Sequence, residues 1–149
     1  MTVLATSCNK ITPSGFWINF HKDLITNKKS DQGPRGGHIE IYWKNTNTFS
    51  TKEIIDFAIK NDWELADSAI ISADSLNRLT LSKSEIDYSL YILLENVIPM
   101  WKDPEIKVYI FRTGWVAIEP GNTRDTDMNG FVTINSDGTE MKVYHLWGE

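Results

Sequence analysis

The sequence contains a single cysteine, Cys8, among 149 residues, which excludes an intramolecular disulfide. Secreted domains of this size often carry several cysteines, so the scarcity favours a reducing, cytoplasmic environment. No apolar run reaches the ~20 residues that a membrane-spanning helix needs, and we predict that the chain does not cross a bilayer. The sequence also lacks an internal repeat, a low-complexity tract and a linker, so we predict one domain over residues 1–149.

The N-terminal segment, Met1 to Lys10, offers one alternative location. Its small residues ending in Cys8 resemble the end of a bacterial lipoprotein signal. The seven residues before Cys8 lack the positive and apolar regions that a signal peptide needs. We therefore expect a cytoplasmic protein, with export as a lipoprotein as the alternative if this segment is the remainder of a longer signal.

Basic residues are scarce in two thirds of the chain. Residues 1–50 carry six basic against three acidic side chains, residues 51–104 carry five against ten, and residues 105–149 carry four against seven, for a net charge of −5. The basic cluster, in a predicted loop, consists of Lys22, Lys28, Lys29 and Arg35. Nucleic-acid binders present a broader basic face, so direct binding of DNA or RNA is not expected.

Two segments have the apolar spacing of helices, over residues 51–60 and about 83–98. In the second, apolar side chains recur at 3.6-residue spacing and form one stripe. A capping box precedes each helix, because a serine is followed three residues later by a glutamate. The boxes are Ser50 with Glu53 and Ser82 with Glu85, and the stripe consists of Ile86, Leu90, Leu93, Leu94, Val97 and Trp101.

Runs rich in β-branched and aromatic residues predict strands. They are Phe16–His21, Ile39–Trp43, Trp63–Ile71, Ile106–Phe111, Trp115–Ile118, Phe131–Ile134 and Met141–Trp147. Residues 26–37 are predicted as a polar loop, and Asn135–Gly138 as a hairpin turn. Both faces of Ile106–Phe111 are apolar, which predicts a central strand. The fold class is therefore α+β, with an antiparallel meander sheet packed against two main helices.

Oxygen-bearing side chains alternate in the stretch Asp125 to Val132. Asp125, Asp127 and Asn129 occupy positions 1, 3 and 5, glycine occupies position 6, and Phe131 occupies position 7, where a backbone carbonyl is the ligand. This stretch resembles the opening of an EF-hand calcium loop. Position 12 is Ser136 instead of the usual glutamate, so a turn that satisfies its own backbone is the competing interpretation.

Catalytic signatures are absent from the sequence. We find no GxSxG motif, P-loop or dinucleotide fingerprint, and no two histidines share an HxH or HxxxH spacing. A small hydrolase with its site in the segment Gln32 to His38 would require His21 or His38 to meet a carboxylate. The sequence supplies no cofactor signature, and calcium is the one cofactor that its motifs suggest.

An acidic, tryptophan-rich domain without catalytic motifs suits a protein that binds a basic protein partner. Our leading hypothesis is a bacterial inhibitor of the immunity or antitoxin type. The alternative is a ligand-binding module with a pocket between helix and sheet, which would be exported and calcium-dependent if the lipoprotein signal and the calcium loop are real. Trp17, Trp43 and Trp115 are predicted in the core. The acidic residues predicted to contact the partner are Asp56, Asp62, Glu64, Asp67, Asp74, Asp87 and Glu95.

Overall fold

The computed structural model describes residues 13–72, 88–97 and 104–149. Its six strands are β1 (Ile25–Gln32), β2 (Gly36–Lys44), β3 (Glu64–Ser72), β4 (Glu105–Ile118), β5 (Asp125–Ile134) and β6 (Glu140–Gly148). Its helices are α1 (Thr51–Lys60) and α2 (Tyr88–Ile92), the latter continued by a π-helical turn over Leu93–Val97. The strands form one sheet in the order β1-β2-β6-β5-β4-β3, antiparallel except for one bridge between Ala117 and Gly148. The predicted α+β class is confirmed.

The sheet separates two apolar cores. Helix α1 and the 3₁₀ helix Gly15–Asn19 cover one face, where Trp17, Trp43 and Phe111 are buried. Helix α2 and the π-helical turn cover the opposite face, where Phe131 and Val108 are buried. Because β4 contributes to both cores, its predicted two-sided burial is confirmed, although β6 and β5 are the middle strands of the sheet.

Helix α1 begins and ends where the sequence predicts. The Ser50 hydroxyl accepts a hydrogen bond from the Glu53 N–H at 3.3 Å, which satisfies one of the N–H groups left free at the start of a helix. Ile54 and Ala58 face the core. The helix ends at Asn61, and Asp62 then adopts a left-handed conformation with φ of 68°.

The prediction of a strand over Phe16–His21 is wrong, because residues 15–19 form a 3₁₀ helix. The N–H of Trp17 donates to the Ser14 carbonyl at 3.2 Å, and the N–H of Phe20 donates to the Trp17 carbonyl at 3.0 Å. These tight turns let Phe16, Trp17 and Phe20 pack against one another and against the sheet. Packing of the aromatic rings therefore overrides their strand propensity.

The predicted loop over residues 26–37 is also wrong, since most of it forms β1. All residues of β1 after Ile25 are exposed, so the strand lacks the apolar alternation by which strands are recognised. Lys28 and Lys29 are therefore strand residues. The connection to β2 is tight, with the Gly33 N–H donating to the Gly36 carbonyl at 2.8 Å.

The second predicted helix is confirmed over residues 88–97, and its capping box at Ser82 and Glu85 lies outside the described residues, as does Trp101. Strand β4 joins the two predicted strands 106–111 and 115–118 into one. The prediction that Trp115 lies in the core is wrong, because its side chain is 47% exposed. Within the described ranges, no helix has the length and apolarity to cross a membrane.

Candidate functional site

Strand β3 forms one edge of the sheet and, among the described strands, pairs only with β4. Six of its nine residues are exposed, including Leu65 at 37% and Ile70 at 64%. Glu64 and Asp67 are exposed on the same strand, and Asp62 is exposed just before it. We call these five residues, Asp62, Glu64, Leu65, Asp67 and Ile70, the β3 edge surface.

The turn between α1 and β3 fixes the position of this surface. The Trp63 N–H donates to the Ala58 carbonyl at 3.0 Å, and the Asp62 N–H donates to the Ile59 carbonyl at 3.1 Å. The Trp63 ring is buried against Phe111 in the core, with ring centroids 5.6 Å apart. The buried Trp63 ring therefore anchors this turn, and the neighbouring residues Asp62 and Glu64 are exposed to solvent.

The carboxylates of the β3 edge surface have no cationic partner among the described residues. No ion pair within the described part of the chain includes Asp62, Glu64 or Asp67. Arg112 stands opposite Glu64 in the β3–β4 register, but its Nε lies 3.5 Å from Asp127. This edge consequently retains a negative charge.

The other acidic residues predicted to contact a partner do not join this surface. Asp56 lies on α1 in an ion pair with Lys52. Glu95 is exposed on the π-helical turn, on the opposite face of the sheet from α1. Asp74 and Asp87 lie outside the described residues. The structure thus brings together three of the seven predicted carboxylates and separates two others.

The predicted calcium loop is not a loop, because Asp125 to Val132 belong to β5. In an extended strand, alternate residues are about 7 Å apart, so their side chains are not drawn together around one ion as they are in a tight loop. Asp127 pairs with Arg112, the Asn129 amide is buried in hydrogen bonds, and Phe131 lies in the core. Among the described residues, no group of three or more His, Cys, Asp or Glu side chains is arranged to hold a metal ion. Calcium binding stays a prediction.

A buried hydrogen-bond network surrounds His145, and no motif in the sequence predicts it. The Thr113 hydroxyl donates to Asn129 Oδ1 at 2.7 Å, so it accepts from His145 Nε2 at 3.1 Å. His145 Nδ1 then accepts from the Ser14 hydroxyl at 3.0 Å. Burial lowers the pKa of His145 to about 3, which keeps the ring neutral. Since Ser14 and His145 are fully buried, this network links the 3₁₀ segment to the sheet and cannot meet a substrate in this conformation.

The hydrolase alternative required a histidine beside a carboxylate, and His21 meets this condition. Its Nε2 lies 2.8 Å from Glu53 Oε1, with both side chains partly exposed. The pair lies at the start of α1, whereas His38 lies in β2 and stacks on Tyr144. The segment Gln32 to His38 therefore does not contain the pair.

Lys142 is a fully buried cation that the sequence analysis did not single out. Its ammonium group donates to the Asn96 carbonyl at 3.1 Å and lies 3.9 Å from Glu40. The rings of Tyr42 and Tyr144 lie 5.1 and 5.6 Å away. Burial lowers the pKa of Lys142, although the charge of Glu40 opposes this effect. The contacts tie the π-helical turn to β6, as expected of a structural cation.

Two open grooves lie on the surface of the described part of the chain. One of about 390 Å³ lies on the outer side of α1, between Ser50 and Lys60. Another of about 290 Å³ lies beside Ile70, Lys107 and Tyr109 at the edge of the sheet. The ligand-binding alternative, with its pocket between helix and sheet, stays a prediction.

No protein-family model matches the chain, and no curated protein or solved structure matches it either. The residues and their geometry are therefore the basis for a functional proposal.

Proposed function

We propose that this protein is an acidic binding protein that occludes a basic protein partner, in the manner of an immunity or antitoxin-type inhibitor. The observation that carries the proposal is the group of three exposed carboxylates, Asp62, Glu64 and Asp67, without ion pairs in the described part of the chain.

Electrostatics favours a cationic protein at this surface. Unpaired carboxylates on one edge attract a basic surface and accelerate encounter, and this effect weakens as salt increases. Leu65 and Ile70 lie on the same strand with their side chains on the other face of the sheet, and they supply apolar area that a partner bound along the edge buries. Charge therefore provides the selectivity for a basic partner, and the apolar side chains provide affinity.

The proposal is tested by reversing the charge of the surface. The double variant Glu64→Lys with Asp67→Lys changes the net charge from −5 to −1. A matched control, Asp31→Lys with Asp137→Lys, makes the same change at two exposed positions outside β3. Each protein is immobilised and exposed to an extract of the cell that makes it, and retained proteins are identified by mass spectrometry and ranked by isoelectric point.

We expect the wild type and the control to retain a basic protein that the Glu64/Asp67 variant does not retain. If that protein is an enzyme, the wild type should inhibit it and the Glu64/Asp67 variant should not. Equal retention by all three proteins, or retention of no basic protein, would contradict the proposal.

A further inference from the structure

We infer that the partner binds by strand addition, with an extended segment of basic and apolar residues pairing along the outer edge of β3. This inference rests on the proposed function and specifies its binding mode. An edge strand offers a row of backbone N–H and C=O groups to an incoming strand. Six residues of β3 are exposed, and no strand in the described ranges pairs with its outer edge.

One hydrogen bond shows which backbone groups of β3 point away from β4. The Ser68 N–H donates to the Asp67 carboxylate of its own strand at 2.7 Å, so it points away from β4. Backbone groups alternate in direction along a strand, which places the N–H of Ile70 on the same outer side. Both Ser68 and Ile70 are exposed. An added strand would therefore use the outward backbone groups of Ile70 directly. It would also replace the Asp67 carboxylate as the acceptor of the Ser68 N–H, which leaves that carboxylate to a basic side chain.

The register of β3 also predicts the composition of the added strand. Glu64 and Asp67 stand opposite Arg112 and Ile110 of β4, so their side chains share one face of the sheet, despite the irregularity between Leu65 and Asp67. Leu65 and Ile70 stand opposite Phe111 and Lys107, which places them on the other face. Directly opposed side chains on adjacent strands lie about 5 Å apart. The matching segment alternates basic residues on the first face with apolar residues on the second.

Strand β1, at the other edge of the sheet, has a composition that disfavours strand addition. The exposed residues of β1 are all polar and include Lys28 and Lys29, and lysines on an edge strand discourage pairing with another strand. Strand β3 carries no lysine or arginine and exposes an isoleucine. The β1 edge is therefore protected against pairing with another strand, whereas the β3 edge has the composition expected of one that pairs with a partner.

The test uses a capped nine-residue peptide in which lysine alternates with valine and threonine, and a twin peptide with glutamate in place of lysine. Binding to the full-length protein is followed by NMR titration, and amide hydrogen exchange is measured at Ser68 and Ile70. We expect the lysine peptide to bind and to slow exchange at both amides at least about tenfold, and the glutamate peptide to do neither.

Two substitutions at one position separate backbone pairing from charge attraction. Ser68→Pro removes an outward N–H, which an edge strand tolerates, whereas Ser68→Ala retains it. We expect the proline variant to bind the lysine peptide about tenfold more weakly and the alanine variant to bind it like the wild type. If the proline variant does not fold, the exchange measurement on the wild type decides the question.

The outcomes distinguish this inference from the proposed function. Binding that requires Glu64 and Asp67 but leaves amide exchange unchanged would overturn strand addition and leave the proposed function standing. Failure of the lysine peptide to bind would also overturn strand addition. The proposed function fails only in the capture experiment, where no peptide is used.

Discussion

His145 makes the stability of this protein depend on pH in a calculable way. Its ring is buried between Trp63 and Trp147, and burial lowers its pKa from 6.5 to about 3. The unfolded chain therefore binds a proton at His145 between these pH values, and the folded chain does not. The contribution of the neutral His145 ring to the free energy of unfolding is therefore fully present above about pH 6.5. It is lost progressively as the pH falls toward 3.

The expected size of the effect follows from the two pKa values. Each pH unit below 6.5 costs about 1.4 kcal/mol until the folded protein is protonated as well. The contribution lost between pH 7 and pH 5 is about 2 kcal/mol, equivalent to a fall in Tm of about 4–8 °C for a chain of this length.

The assay is urea unfolding of the wild type and of His145→Gln at pH 7, 6 and 5. Glutamine retains a donor and an acceptor but does not titrate, so the wild type should lose about 2 kcal/mol more than the variant. His38→Gln, a partly exposed control in β2, should keep the wild-type dependence. Equal pH dependence in the wild type and His145→Gln, or an NMR titration of His145 near pH 6.5, would refute the argument.

Four further predictions concern the fold and the metal. Ser50→Ala removes the helix cap and should lower the free energy of unfolding by about 1 kcal/mol in urea titration. Gly130→Ala places a Cβ within 2.8 Å of the Trp63 ring and should cost about 1–3 kcal/mol. Trp43→Ala should cost about 3–5 kcal/mol, whereas Trp115→Ala should leave Tm nearly unchanged because that ring is half exposed. Millimolar calcium should not shift Tm, since the candidate ligands lie on an extended strand; a clear rise would support the calcium prediction.

Features that depend on neighbours in the sequence could be predicted from the sequence. Helix α1 was located by its Ser50 cap and its apolar spacing, β2 by its alternation, and the β5–β6 turn by the residues Asn135 to Gly138. Strand β3 was also predicted, from its run of β-branched residues. These elements form where short-range hydrogen bonds and side-chain periodicity favour the same structure.

Features that depend on contacts between distant residues were decided by the tertiary structure. Strand β1 has no apolar pattern and forms because β2 pairs with it, while the residues around Trp17 turn into a 3₁₀ helix because their rings pack on the sheet. The hydrogen bond between Ser14 and His145 spans 131 positions, and no local pattern could reveal it.

In the candidate site, too, some features follow from the sequence and others from long-range contacts. The sequence by itself determined that the middle of the chain is acidic, because charge is a property of the residues alone. Only the tertiary structure decided which carboxylates meet a cation. Lys52 lies beside Asp56, whereas the strand order places Glu64 and Asp67 on an edge that no other described strand covers. Long-range pairing sets the neighbours of each charge, and those neighbours determine whether the charge is available to a partner.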